Sequence, residues 1–141
     1  MIRTLFLALI MTIASGDFSG DWIMKTASVG GADVEVPAGR VTLTLSLEAD
    51  GYKAAFQAGN HMLGGMIVDD EISDFEAGVH FTSFSSTRMM PPPHLREVEK
   101  FIGQSIPLMT KVKINHSGKL VMEGPDVKAV FSSADGDQDN A

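Results

Sequence analysis

Four histidines, at positions 61, 80, 94 and 116, are the side chains best suited to move protons or ligate a metal near neutral pH. None stands four residues from another, and no HExxH occurs, so no helical metal pair can form. His61 and His80 can face each other across strands, but two ligands leave a site incomplete. The run Asp69-Asp70-Glu71, with Asp74 and Glu76, offers paired carboxylates or a hard-cation loop. Its composition is also that of a charged loop between two strands, and we read it as one. The serines lack a GxSxG elbow, and Gly30-Gly31 and Gly64-Gly65 belong to neither phosphate-loop pattern. Asp135, Asp137 and Asp139 imitate the opening of a calcium loop, but Asn140 stands where that loop needs glycine. These residues predict no catalytic set, no metal site and no cofactor. What remains is apolar: Met24, Met62, Met66, Met89, Met90, Met109 and Met122 are flexible thioethers, which serve adaptable surfaces and fill irregular cores.

The elements that would position these groups are mostly strands. The chain has 141 residues, 44% of them hydrophobic, which suits one folded domain. There is no cysteine, hence no disulfide framework, thiolate nucleophile or cysteine-held cluster. Residues 1–16 show Arg3, an apolar run from Thr4 to Ala14, and the small residues Ala14-Ser15-Gly16 before Asp17. This is the layout of a secretory signal peptide, too short to span a bilayer, and it predicts an exported protein, periplasmic or secreted. The mature chain would carry 11 basic side chains less Arg3 against 18 acidic ones, a charge of −8. Such a charge argues against a nucleic-acid partner.

Val41, Leu43, Leu45 and Leu47 alternate with Thr42, Thr44 and Ser46, predicting a half-buried strand. Asp50-Gly51 reads as the centre of a hairpin turn, after which Tyr52, Ala54, Phe56 and Ala58 share one face. A second hairpin is expected around Asn115–Gly118, between Val112/Ile114 and Leu120/Met122. Further strands are expected near residues 22–28, 62–68, 79–84 and 127–131. After three prolines, Leu95, Val98, Phe101, Ile102 and Ile106 fall at helical spacing, and Pro107 ends the run. The expected fold is α+β but mainly β: a strongly curved antiparallel sheet, half-barrel or barrel-like, around one amphipathic helix. The domain limits are 1–16 for the signal, 17–131 for the folded domain and 132–141 for a disordered acidic tail.

Four segments carry a family resemblance: FSGDWIMKTAS at 18–28, AGN at 58–60, STRMMPPPHLREVEKF at 86–101, and SGKLVME at 117–123. In this order they resemble the META/HslJ domain family. Phe18, Gly20 and Trp22 match its opening strand, Asn60 its G-C-N turn, Thr87, Arg88, Met89 and Met90 its T-R-M segment, and Glu99 and Phe101 its helix. Where the family has cysteines, this chain has Gly59 and Pro91, so a paired role such as a disulfide is lost. The resemblance implies a compact β fold and a non-enzymatic role in envelope stress, secretion or virulence. It also gives the matched residues an architectural role: Trp22 as core, Asn60 as a left-handed turn residue, and Arg88 as a last-strand residue bonding loop carbonyls or a carboxylate.

The expected function is therefore an exported, monomeric, non-enzymatic domain that binds a protein partner or an apolar small ligand. The alternatives are a metal-dependent or hydrolytic enzyme using the Asp69–Glu76 stretch, and a lipocalin-like carrier.

Overall fold

The computed structural model describes residues 18–73 and 75–134. Residues 1–16, expected from sequence to be a signal, and the tail from Asp135 onward lie outside the described residues. Ten strands are present among those described: β1 (Gly20–Val29), β2 (Ala32–Val34), β3 (Thr42–Glu48), β4 (Gly51–Gln57), β5 (His61–Ser73), β6 (Glu76–Phe81), β7 (Ser85–Ser86), β8 (Lys111–Ile114), β9 (Leu120–Glu123) and β10 (Val127–Ser133). One α-helix, α1 (Arg96–Gln104), is flanked by short 3-10 turns at Pro93–Leu95 and Ile106–Leu108. It is not long and apolar enough to cross a membrane.

Eight of the strands close an antiparallel barrel in the order β1-β3-β4-β5-β6-β8-β9-β10. Closure comes from β1, which pairs with β10 along Trp22–Val29 and with β3 along Gly20–Ile23. The curved sheet and single helix are as expected, and closure removes the exposed edges an open sheet would leave. Inward alternation fills the barrel: Leu43, Leu45, Ala54, Phe56, Met66, Val112, Leu120, Met122, Ala129 and Phe131 are all essentially inaccessible. An eight-stranded barrel is just wide enough for side chains to fill it. In β1 the inward residues Met24 and Ala27 are three apart rather than two. A bulge between Met24 and Thr26 absorbs the odd residue and returns Ala27 to the core.

The antiparallel order defines two ends. At one lie the β4–β5 and β9–β10 turns; here Leu95, Val98, Phe101, Ile102 and Ile106 of the helical segment join the barrel core. The helix thus packs against the barrel at this end. At the opposite end lie the β3–β4 turn, the β5–β6 tip and Phe18.

Several local expectations change. Residues 69–73 are not a loop: β5 continues through Asp69, Asp70 and Glu71 to Ser73, pairing with β6 through two bulges. Leu47, on the apolar face by sequence, is exposed because β3 runs past the barrel wall there. The β3–β4 turn is Ala49-Asp50, since Glu48 pairs with Gly51, and neither turn residue has positive φ. Gly51 is needed for another reason: a Cβ there would collide with the Met66 carbonyl oxygen of β5. Ser132 and Ser133, placed by composition in the tail, belong to β10, and Ser132 is buried.

Gly103, on α1, has open space around its Cα. Gly103→Ala should therefore stabilise the protein by about 0.5–1 kcal/mol through helix propensity. Gly51→Ala should destabilise it by about 1–3 kcal/mol through forced strand separation. Urea unfolding of the two variants measures both, and a Gly51→Ala protein as stable as wild type would contradict the close approach.

Candidate functional site

Two regions gather polar chemistry, one at each end of the barrel. At the helix end, the β4–β5 turn places Asn60 beneath α1, where it is buried. Its backbone N–H donates to Glu99 Oε2 at 2.7 Å, and its side-chain Nδ2 donates to Glu99 Oε1 at 2.9 Å. Nδ2 also donates to the Met89 carbonyl at 2.8 Å, while Oδ1 accepts from the Met89 N–H at 2.9 Å and the Thr87 hydroxyl at 2.8 Å. Thr87 Oγ1 in turn accepts from the His61 N–H at 3.0 Å. Both amide donors and the amide oxygen of Asn60 are used, so the buried group is satisfied within the protein. Asn60 does not adopt the expected left-handed conformation: no non-glycine residue among those described has positive φ. Its place is fixed by side-chain hydrogen bonds.

Arg88 also departs from expectation. It lies in the connection after β7, is exposed, and has no hydrogen bond or ion pair among the described residues. Met89 and Met90 are exposed on the same connection, whereas Phe101 is buried. Gly59 and Pro91 are neighbours in space: a Cβ built at Gly59 would lie 3.2 Å from Pro91 Cβ and 2.5 Å from Glu99 Oε2. The room a side chain would take there is occupied by the Glu99 carboxylate.

The opening segment anchors the other end. Phe18 is buried, its N–H donates to the Tyr52 hydroxyl at 3.0 Å, and its ring meets the Tyr52 ring edge-on. The Phe18 carbonyl accepts from Trp22 Nε1 at 3.0 Å, closing a local loop over Gly20, whose φ of 135° favours glycine. Above Phe18 and Tyr52 is a surface depression of about 360 Å³, bordered by Leu47, Glu48, Asp50, Asp70 and Glu71. Those four carboxylates have no ion-pair partner among the described residues. Glu76 is bridged by Lys111 at 3.6 Å, and Asp69 contacts His80 Nδ1 at 2.7 Å. Three large apolar side chains, Leu47, Ile72 and Phe75, are exposed at this end.

The histidines are not brought together. His61 faces Gln57 and His80 faces Ile67 in the ladders, while His94 and His116 lie in the first 3-10 turn and the β8–β9 turn. Among the described residues, no three histidine, aspartate or glutamate side chains gather as a metal set.

A family model described as META domain matches residues 17–136. This chain belongs to the META domain family. The structure is also similar to the NMR structure of a protein from Burkholderia xenovorans, with a TM-score of 0.59 at 17% identity, covering 89% of this chain and 87% of that one. At that identity the likeness concerns the fold alone. No curated protein matches the chain.

Within this META domain, Asn60, Thr87, Met89 and Glu99 form one hydrogen-bonded unit, and Phe18, Trp22 and Tyr52, closed over Gly20, form another. The polar rim at the Phe18 end was missed as a unit by sequence reasoning, because its members come from β3, the β3–β4 turn and β5. Only the density of Asp and Glu at 69–76 signalled it.

The helix-end unit makes a quantitative prediction. Asn60→Ala and Glu99→Ala should each cost about 2 kcal/mol or more, since each strands buried polar partners. The double variant should cost at least about 1 kcal/mol less than the sum, as the two share partners. Arg88→Ala should stay within about 0.5 kcal/mol of wild type. Denaturant unfolding of the four proteins checks this; strict additivity would contradict a single network.

Proposed function

We propose that this META domain is an exported, non-enzymatic binding protein that acts in envelope stress, secretion or virulence, and that it engages a protein partner at the acidic end of its barrel. The observation carrying this reading is a concave surface bordered by exposed Leu47 and four carboxylates without ion-pair partners among the described residues, with exposed Ile72 and Phe75 at the adjoining β5–β6 tip. Exposed apolar side chains rimmed by charge are what interaction surfaces offer. Carboxylates of one sign steer a basic partner and set its orientation. The barrel interior supports protein binding over a lipocalin-like carrier role, because its inward positions are taken by closely packed side chains and the described depressions lie on the surface.

The export half of the reading rests on the layout of residues 1–16 and is tested separately. Protein recovered from the exporting host should begin at Asp17; a mass retaining Met1–Gly16 would contradict export by cleavage.

The binding half is tested by photo-crosslinking in that host, with the reactive group placed at Leu47 or Phe75 and, as a control, at the exposed Lys128 of β10. A discrete adduct is expected from the first two positions and none from the third. Asp70→Lys with Glu71→Lys should weaken the adduct at least about ten-fold, through lost steering and new repulsion. Adducts from Lys128 alone, or indifference to the charge reversal, would overturn the assignment of this end.

A further inference from the structure

The seven methionines of residues 17–141 divide sharply. Met24, Met66, Met109 and Met122 are at most 1% exposed and Met62 is 7% exposed, all within the core. Met89 is 62% exposed and Met90 80% exposed, side by side in sequence. Large apolar side chains on a connecting segment can normally fold back onto the protein. Here the backbone prevents it: the N–H and carbonyl of Met89 are both held by the Asn60 side chain. The next residues, Pro91 and Pro92, lie against Gly59, at 3.2 and 3.3 Å from its built Cβ position. Residues on both sides of the thioethers are clamped, and the thioethers point away from the clamp.

We propose that Met89 and Met90 form a methionine-oxidation site for hydroperoxides, one that the fold tolerates and that can be reversed. The thioether sulfur attacks the O–O bond of the peroxide, which breaks as the S–O bond forms. The sulfur loses two electrons, and the peroxide is reduced to water or an alcohol, the hydroxyl proton passing to the departing oxygen. Sulfoxide formation in a core is disruptive because it turns an apolar group polar. At these two positions the new oxygen meets water, and the Asn60 clamp uses only backbone atoms of Met89, so the hydrogen bonds that hold the segment survive. Return to the thioether takes two electrons from a dithiol, giving a disulfide and water, the chemistry of the sulfoxide-reducing enzymes. Exposure leaves the site open to such an enzyme. The inference does not depend on what binds at the opposite end of the barrel.

The sequence makes the test direct. Trypsin cleaves after Arg88 and Arg96, releasing 89–96 as a peptide that holds these two methionines and no other. Purified protein is treated with hydrogen peroxide for graded times, quenched, digested and analysed by mass spectrometry. When half of peptide 89–96 is oxidised, less than about a tenth of Met24, Met109 and Met122 should be, because those sulfurs react only when the structure opens. The doubly oxidised protein should melt within about 3 °C of the untreated one, the range expected when no core contact is altered. A thiol-dependent methionine sulfoxide reductase should return peptide 89–96 to its original mass. The variant Met89→Leu with Met90→Leu should fold normally and lose the fast phase of oxygen uptake. Comparable oxidation of the core methionines, a larger fall in melting temperature, or a sulfoxide resistant to the reductase would each overturn the proposal.

Discussion

The Glu99 carboxylate, buried where α1 crosses the β4–β5 turn, is the interaction on which the helix end depends. Taking a carboxyl group out of water is costly unless its oxygens are met by donors. Here one oxygen takes the Asn60 backbone N–H and the other its side-chain amide. The same amide reaches across to Met89 and Thr87. One residue thus ties together three pieces of chain: the turn, the connection after β7, and the helix. Apolar packing by Val98, Phe101 and Ile102 turns one face of the helix to the core. The two Glu99 bonds add a register, since a shift of one residue along α1 would strand both.

The two ends of the barrel are built on different principles. At the helix end the polar groups of the Asn60 side chain are consumed internally, and what faces solvent on the neighbouring connection is Arg88, Met89 and Met90. At the Phe18 end the burial is apolar, with Phe18, Trp22 and Tyr52 locked by two hydrogen bonds, and the charge is left outside. The β5–β6 hairpin extends the barrel wall past this plug, carrying Ile72 and Phe75 into solvent. An extension that buries little does not contribute much to stability, and it is here that the proposed binding role is placed.

Much of the fold was legible because one face of each strand had to be apolar. Val41 to Leu45, Tyr52 to Phe56 and the β8–β9 hairpin follow a period of two, and α1 follows its helical period. The misses share a cause, which is that tertiary pairing overrides local composition. Asp69, Asp70 and Glu71 are poor strand formers, yet the ladder to β6 extends through them. Leu47 keeps the alternation but outruns the wall that would cover it. For the site, residue identity was informative and role was not. Asn60 is suited to a left-handed turn, to a side-chain clamp, or to both, and only the position of Glu99 shows which one operates. Arg88 and Met89 are adjacent, yet one has no partner among the described residues and the other is held through its backbone.

Gly59 and Pro91 bring these threads together. The family resemblance implies cysteines at both positions, and the structure places the two next to each other. Cβ atoms of a disulfide are about 3.5–4.5 Å apart, near the separation found here. In this chain the gap holds Glu99 Oε2 instead, and a side chain at position 59 would have to displace it. Glycine at 59 is therefore a condition for the carboxylate to reach the Asn60 N–H. Proline at 91 stiffens the connection that a covalent link would otherwise hold. The contact between turn, connection and helix is retained by hydrogen bonds and a fixed backbone, with no redox-active sulfur at the junction. The sulfur of this region lies outside the clamp, on Met89 and Met90, where a change in its oxidation state leaves the junction standing.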